Sequence, residues 1–165
     1  MKSSSMQVKS MSKFNLSLLL ILLSLLFIGE AQSATCNFNS VTNVAFGNYD
    51  VFSASPNDSQ GNVQIRCTYW TARTVTMRIG PSPNSGGFNP RQMKLTTGTD
   101  LMNYNLYTTA SRNIIWGDGT QGTSTVAKSC PRNTNVDFPV YGRIPAAQDV
   151  SIGNYSETLV VTIIF

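Results

Sequence analysis

The sequence predicts an all-β chain, an immunoglobulin-like antiparallel β-sandwich. Three observations carry this reading. Short runs with a period of two recur from residue 38 onward, the segments between them are dense in Gly, Pro, Asn, Asp and Ser, and no stretch beyond residue 33 shows a helical period.

Seven strands are expected. Phe38–Phe46 (FNSVTNVAF) is the loosest in pattern. Val63–Tyr69 is the cleanest, with Val63, Ile65, Cys67 and Tyr69 alternating with Gln64, Arg66 and Thr68. Thr74–Ile79 presents Val75, Met77 and Ile79 on one face, Gln92–Leu95 presents Met93 and Leu95, and Met102–Tyr107 presents Met102, Tyr104 and Leu106. Asn135–Arg143 follows with Val136, Phe138 and Val140. The last, Thr158–Phe165, has Leu159, Val161, Ile163 and Phe165 on one side. The connectors ASPNDSQGN, GPSPNSGGFNP, WGDGTQGTS and IPAAQDVSIGN carry the turn residues. In WGDGT, a glycine is expected to supply positive φ and Asp118 to cap the backbone. A single acidic residue there falls short of the several oxygen ligands a calcium loop needs.

The N-terminus reads as a secretory signal peptide over residues 1–33. Lys2, Lys9 and Lys13 precede the apolar run FNLSLLLILLSLLFI, and the small residues of GEAQSAT follow it. Cleavage is expected between residues 31 and 35. The run is too short and too interrupted to span a bilayer, which takes roughly 20 apolar residues. No stable membrane insertion is therefore expected after cleavage. Removing 33 of the 165 residues leaves 132, one domain over residues 34–165. Nine basic residues then face seven acidic ones, scattered without a patch, which gives no support for nucleic-acid binding.

Three cysteines remain in an exported chain: Cys36, Cys67 and Cys130. One pair and one odd thiol are expected, and three pairings satisfy that count. Cys36–Cys67 is favoured because each sits beside an expected strand. Cys130 lies in the loop-like AKSCPRNTN, either free or bridged to another molecule.

Catalysis finds little footing. The chain has no histidine, which rules out Ser-His and Cys-His nucleophile pairs and the commonest metal ligand. The acidic residues Asp50, Asp58, Asp100, Asp118, Asp137, Asp149 and Glu157 mostly sit in turn-like contexts. No enzyme activity, cofactor or metal is expected. Trp70 and Trp116 are candidates for stacking on a sugar ring, set against an ordinary place in the core.

Four stretches, VAFGNYDVFSASP, NVQIRC, MNYNLYTTASRNIIWGDGTQGTS and VYGRIPAAQDVSIGNYSETLVVTIIF, in this order and spacing resemble the spore coat protein U domain, shared with subunits of archaic Csu-type chaperone–usher pili. The resemblance runs from Cys36 to Phe165. It puts Cys36 and Cys67 where that family's disulfide lies and leaves Cys130 unassigned. It also implies an immunoglobulin fold missing its last strand. A groove beside Thr158–Phe165, with Leu159, Val161, Ile163 and Phe165 as its rungs, would take a strand from a periplasmic chaperone and later from another pilin subunit delivered by an usher. The implied setting is the periplasm in transit and then the cell surface, serving adhesion and biofilm formation. Only two to four residues would precede Cys36 after cleavage, too few for a donor strand, so a place at the fibre tip is expected. The alternatives are a self-sufficient secreted coat protein and a carbohydrate-binding module.

Overall fold

The computed structural model describes residues 35–69 and 72–165. The expected signal peptide and Trp70 lie outside the described residues. Among the described residues, nine strands follow one another: β1 (Thr35–Thr42), β2 (Asn57–Thr68), β3 (Arg73–Ile79), β4 (Arg91–Leu95), β5 (Leu101–Tyr107), β6 (Val126–Cys130), β7 (Asn135–Ile144), β8 (Tyr155–Ser156) and β9 (Val161–Ile164). They form an all-β, antiparallel sandwich with one sheet in the order β1-β2-β7-β5-β4-β8 and a facing sheet in the order β6-β3-β9.

Alternation sets the core. In β2, Val63, Ile65 and Cys67 point inward. In β3, Val75, Met77 and Ile79 do so, and Phe138, Val140 and Ile144 are the inward rungs of β7. Trp116, fully buried, closes the interior by donating its indole N–H to the Met77 carbonyl at 3.1 Å. That position rules out the sugar-stacking alternative for Trp116 and gives it the ordinary place in the core set against it.

Several expected boundaries move. β2 begins at Asn57, inside the stretch expected to be a turn, because its ladder with β7 runs unbroken from Asn57↔Ile144 to Arg66↔Asn135. Tertiary pairing there overrides the polar, turn-like composition. β6 was not expected at all. Its inward positions are Val126, Lys128 and Cys130, and the lysine breaks the apolar pattern. Lys128 resolves this at a sheet edge by donating its ammonium to the Asp137 carbonyl at 2.6 Å, with the same ammonium 5.2 Å from the centroid of the Phe138 ring. The expected strand Thr158–Phe165 is narrower, because the chain first pairs with β4 at Tyr155–Ser156 and then crosses to β3 at Val161. The expected WGDGT turn forms with Gly119 at φ +93° and the Asp118 carboxylate accepting the Thr120 N–H at 2.8 Å.

Candidate strand-binding groove

β1 and β9 are edge strands, each paired on one side only among the described residues, β1 with β2 and β9 with β3. β1 is tied to its neighbour by the Cys36–Cys67 disulfide, which joins directly opposed residues. Phe38 faces the same side as its partner Ile65, and Val41 the same side as Val63, so both point toward the interior. Yet Phe38 is 46% exposed and Val41 59%, and among the described residues the facing sheet ends at β9.

After Thr42 the chain leaves the sheet edge instead of continuing as strand to Phe46. It folds across the inner face, where Gly61 and Gly142 leave room. A Cβ on Gly61 would come within 2.5 Å of the Thr42 carbonyl oxygen. Side chains of β2, not a backbone ladder, hold this crossing segment. Ser59 Oγ donates to the Ala45 carbonyl at 2.6 Å and Asn57 Nδ2 to the Phe46 carbonyl at 3.0 Å. Phe46 meets the Tyr104 ring edge-on, with centroids 6.0 Å apart.

Between this segment and the C-terminal strand runs a groove with a cavity of about 480 Å³. Val41–Phe46 form one wall and Tyr155–Leu159 with Val161 the other. Val63, Ile79, Met93, Tyr104, Leu106 and Val140 form the floor. A neighbouring cavity of about 720 Å³ shares Val44, Phe46, Met93 and Tyr155 and extends under the loops at 47–52 and 150–154. Of the four rungs expected from the sequence, Leu159 and Val161 line the groove. Ile163 is half-buried opposite Met77, and Phe165 is half-exposed with its ring 6.1 Å from that of Tyr69. The wall facing them, and the floor, were not expected. The signal for the wall is present in VTNVAF, whose apolar residues Val44, Ala45 and Phe46 continue past the end of β1 at Thr42.

One polar station interrupts the groove. Glu157 sits on the inward side of the C-terminal strand, in phase with Tyr155, Leu159, Val161 and Ile163. One carboxylate oxygen accepts hydrogen bonds from Ser82 Oγ and from Asn84 Nδ2, the latter at 3.1 Å, and the other accepts the Tyr104 hydroxyl. Burial, reinforced by this carboxylate, pushes the Tyr104 phenol far above its ordinary range, so it remains a donor. Behind them lies Arg91, fully buried. It donates to Asn105 Oδ1 at 3.0 Å and to the carbonyls of Gly80 and Trp116 at 3.1 and 2.7 Å. Burial draws its pKa down, while Tyr104 and Glu157 draw it up.

Cys130, at the end of β6, is a fully buried free thiol and not the loop residue expected. Its burial leaves no room for a bridge to another molecule. No helix among the described residues is long and apolar enough to cross a membrane.

Comparison with known proteins agrees with this architecture. The family model described as Spore Coat Protein U domain matches residues 22–162. Protein U of Myxococcus xanthus is 32% identical over 161 residues, covering 82% of this chain and 87% of that protein. Among solved structures, a chain of the CsuC–CsuE chaperone–tip adhesion subunit pre-assembly complex, from archaic chaperone–usher Csu pili of Acinetobacter baumannii, is similar with a TM-score of 0.50 and 21% identity. The match covers 81% of this chain but only 40% of that one, and shows a shared fold. The minor tip subunit HdaB of the E. coli Hda pilus gives a TM-score of 0.39 at 15% identity, over 78% of this chain and 79% of that one.

Proposed function

Because the chain belongs to the Spore Coat Protein U domain family, we propose that it is a structural subunit of a chaperone–usher pilus or fimbria-like surface structure, completed by a strand from another protein. A single observation carries this: two unpaired edges, β1 and β9, flank an apolar-floored cavity of about 480 Å³. Five of the nine large apolar side chains most exposed among the described residues (Phe38, Val41, Val160, Ile164 and Phe165) lie on or beside those edges. Such edges template pairing with another chain and are a liability unless covered. A strand laid between them would gain main-chain hydrogen bonds from β9 and bury alternate side chains in the groove.

On this reading the protein is exported and held by a periplasmic chaperone. An usher then passes it to neighbouring pilin subunits, and at the surface it serves adhesion and biofilm formation. Leu159, Val161, Ile163 and Phe165 are the rungs of the acceptor strand, and the role is structural and not catalytic. Co-expression in a periplasm with a chaperone of this class tests it. A one-to-one complex should be recovered, with little soluble protein when the chaperone is absent. Equal yields of soluble monomer with and without chaperone would reject it. A tip position requires an exported protein that begins at or after about residue 31. N-terminal sequencing that starts well upstream would place the subunit inside the fibre instead.

The family's description also supports a second reading, a self-sufficient coat protein. That reading requires export and surface deposition to survive deletion of the usher.

A further inference from the structure

Among the inward rungs of the C-terminal segment, one carries a carboxylate, and that rung presents chemistry the occupant must answer. Resting on the proposed strand-accepting role, we infer that Glu157 sets the register of the incoming strand by selecting a neutral hydrogen-bond donor, a serine or threonine, at the one inward rung that faces it.

Tyr155, Glu157, Leu159, Val161 and Ile163 alternate inward along one segment, and four of these five are partly buried hydrophobics packed on the core. Among the described residues, Glu157 is the only charged side chain lining the groove. One of its oxygens holds two donors and the other holds only the Tyr104 hydroxyl, so one acceptor site is left for an occupant. An occupant that buried this site beneath an aliphatic side chain would strip the carboxylate of water and return nothing.

The neighbourhood decides which donor fits. Three neutral donors already surround the carboxylate, and the buried Arg91 guanidinium interacts electrostatically with it. The pair is thus already balanced in charge. An ammonium there would add an unmatched positive charge, while a hydroxyl adds a hydrogen bond at no electrostatic cost. At the rungs formed by Leu159 and Val161, over a floor that includes Val63, Ile79, Met93, Leu106 and Val140, a hydroxyl would be buried against apolar side chains. One rung that wants a hydroxyl among several that reject it resists slippage by two residues, the slip that an all-apolar groove would tolerate.

Valine and threonine have the same shape, which makes the test clean. The probes are synthetic peptides of about ten residues with valine at every inward rung, and single Val→Thr replacements scanned through all of them. Each is titrated against the exported protein freed of chaperone. Val→Thr should weaken binding about tenfold at each rung but one, and at that one should leave it unchanged or tighten it. In Glu157→Met that exception should disappear, with threonine disfavoured throughout. The readout is a Val/Thr ratio within a single protein, so any general loss of stability in the variant cancels, and the scan on the unaltered protein stands if the variant fails to fold. A flat penalty at every rung, with the all-valine peptide still bound, overturns the role of Glu157 and leaves the groove intact. So does a lysine that outperforms threonine at the exceptional rung. Failure of every peptide to bind overturns the strand-accepting role itself, and this inference with it.

Discussion

Val44 lies directly against the bare backbone of Gly142: a Cβ placed there would come within 2.5 Å of Val44 Cγ1 and 2.7 Å of the Phe46 ring. One wall of the groove therefore exists because β7 carries a glycine at an inward position. Gly142→Ala should push Val44 and Phe46 off the sheet and destabilise the protein by about 1–3 kcal/mol, as overpacking does. It should also weaken capture of an added strand. Gly87→Ala, where a Cβ meets nothing within 4 Å, is the matched control and should leave the urea midpoint unchanged.

Arg91 joins β4 to the Gly80 carbonyl, which follows β3, and to the Trp116 carbonyl beneath the core indole. Arg91→Ala removes three hydrogen-bonding contacts at a fully buried site and leaves two carbonyls unanswered. A loss of about 3 kcal/mol or more is expected, enough to abolish soluble expression of a marginal domain. Arg91→Lys keeps the charge but cannot reach both carbonyls with a planar fork, so it should recover only part of the loss. Denaturant unfolding of the two variants checks this order.

Asp58 binds Arg143 through both carboxylate oxygens, at 2.7 and 2.8 Å, and lies 3.2 Å from Arg112. The Arg143 hydrogen bonds hold its pKa below the ordinary 3.8, opposed by burial and assisted by the charges of Arg112 and Arg143. Because the folded value is depressed, the contribution to stability is fully present above about pH 4 and disappears as pH falls through the lower folded value. Between about pH 4 and pH 2 the melting temperature of the unaltered protein should fall more steeply than that of Asp58→Asn. Parallel curves would mean the pair contributes nothing measurable.

Cys130 is fully buried, and burial raises its thiol pKa. It should resist alkylation by iodoacetamide in the folded protein and react promptly in urea. Mass spectrometry should find one modified cysteine and an intact Cys36–Cys67 pair. Reaction at the same rate in both states would place the thiol at the surface.

The sandwich was legible because Val63–Tyr69, Thr74–Ile79 and Asn135–Arg143 alternate without interruption, and strands buried on one face must. Legibility failed where the sheet edge changed the rules. Lys128 occupies an inward position because an edge lets its ammonium escape sideways, so β6 showed no strand pattern. The polar Asn57–Asn62 half of β2 is strand because β7 runs alongside it, a fact no local residue records. Period two marks Leu159 and Val161 as one face of a half-buried strand; that this face borders a groove is what the family resemblance implies and not what the pattern shows. Glu157 shares their phase, but its role is not legible in the sequence, since its partners Ser82, Asn84 and Tyr104 lie some 50 to 75 positions away in the chain.

On the proposed function, the sandwich is open between β1 and β9 and closes only on an added strand. Thermal unfolding of the purified exported protein, alone and with an alternating apolar peptide of about ten residues, tests it most directly. An open groove predicts a low, aggregation-prone transition that rises by many degrees with the peptide and keeps rising with its concentration, as linkage requires. A high transition that the peptide leaves unmoved would contradict the account, because the two edges would then need no partner.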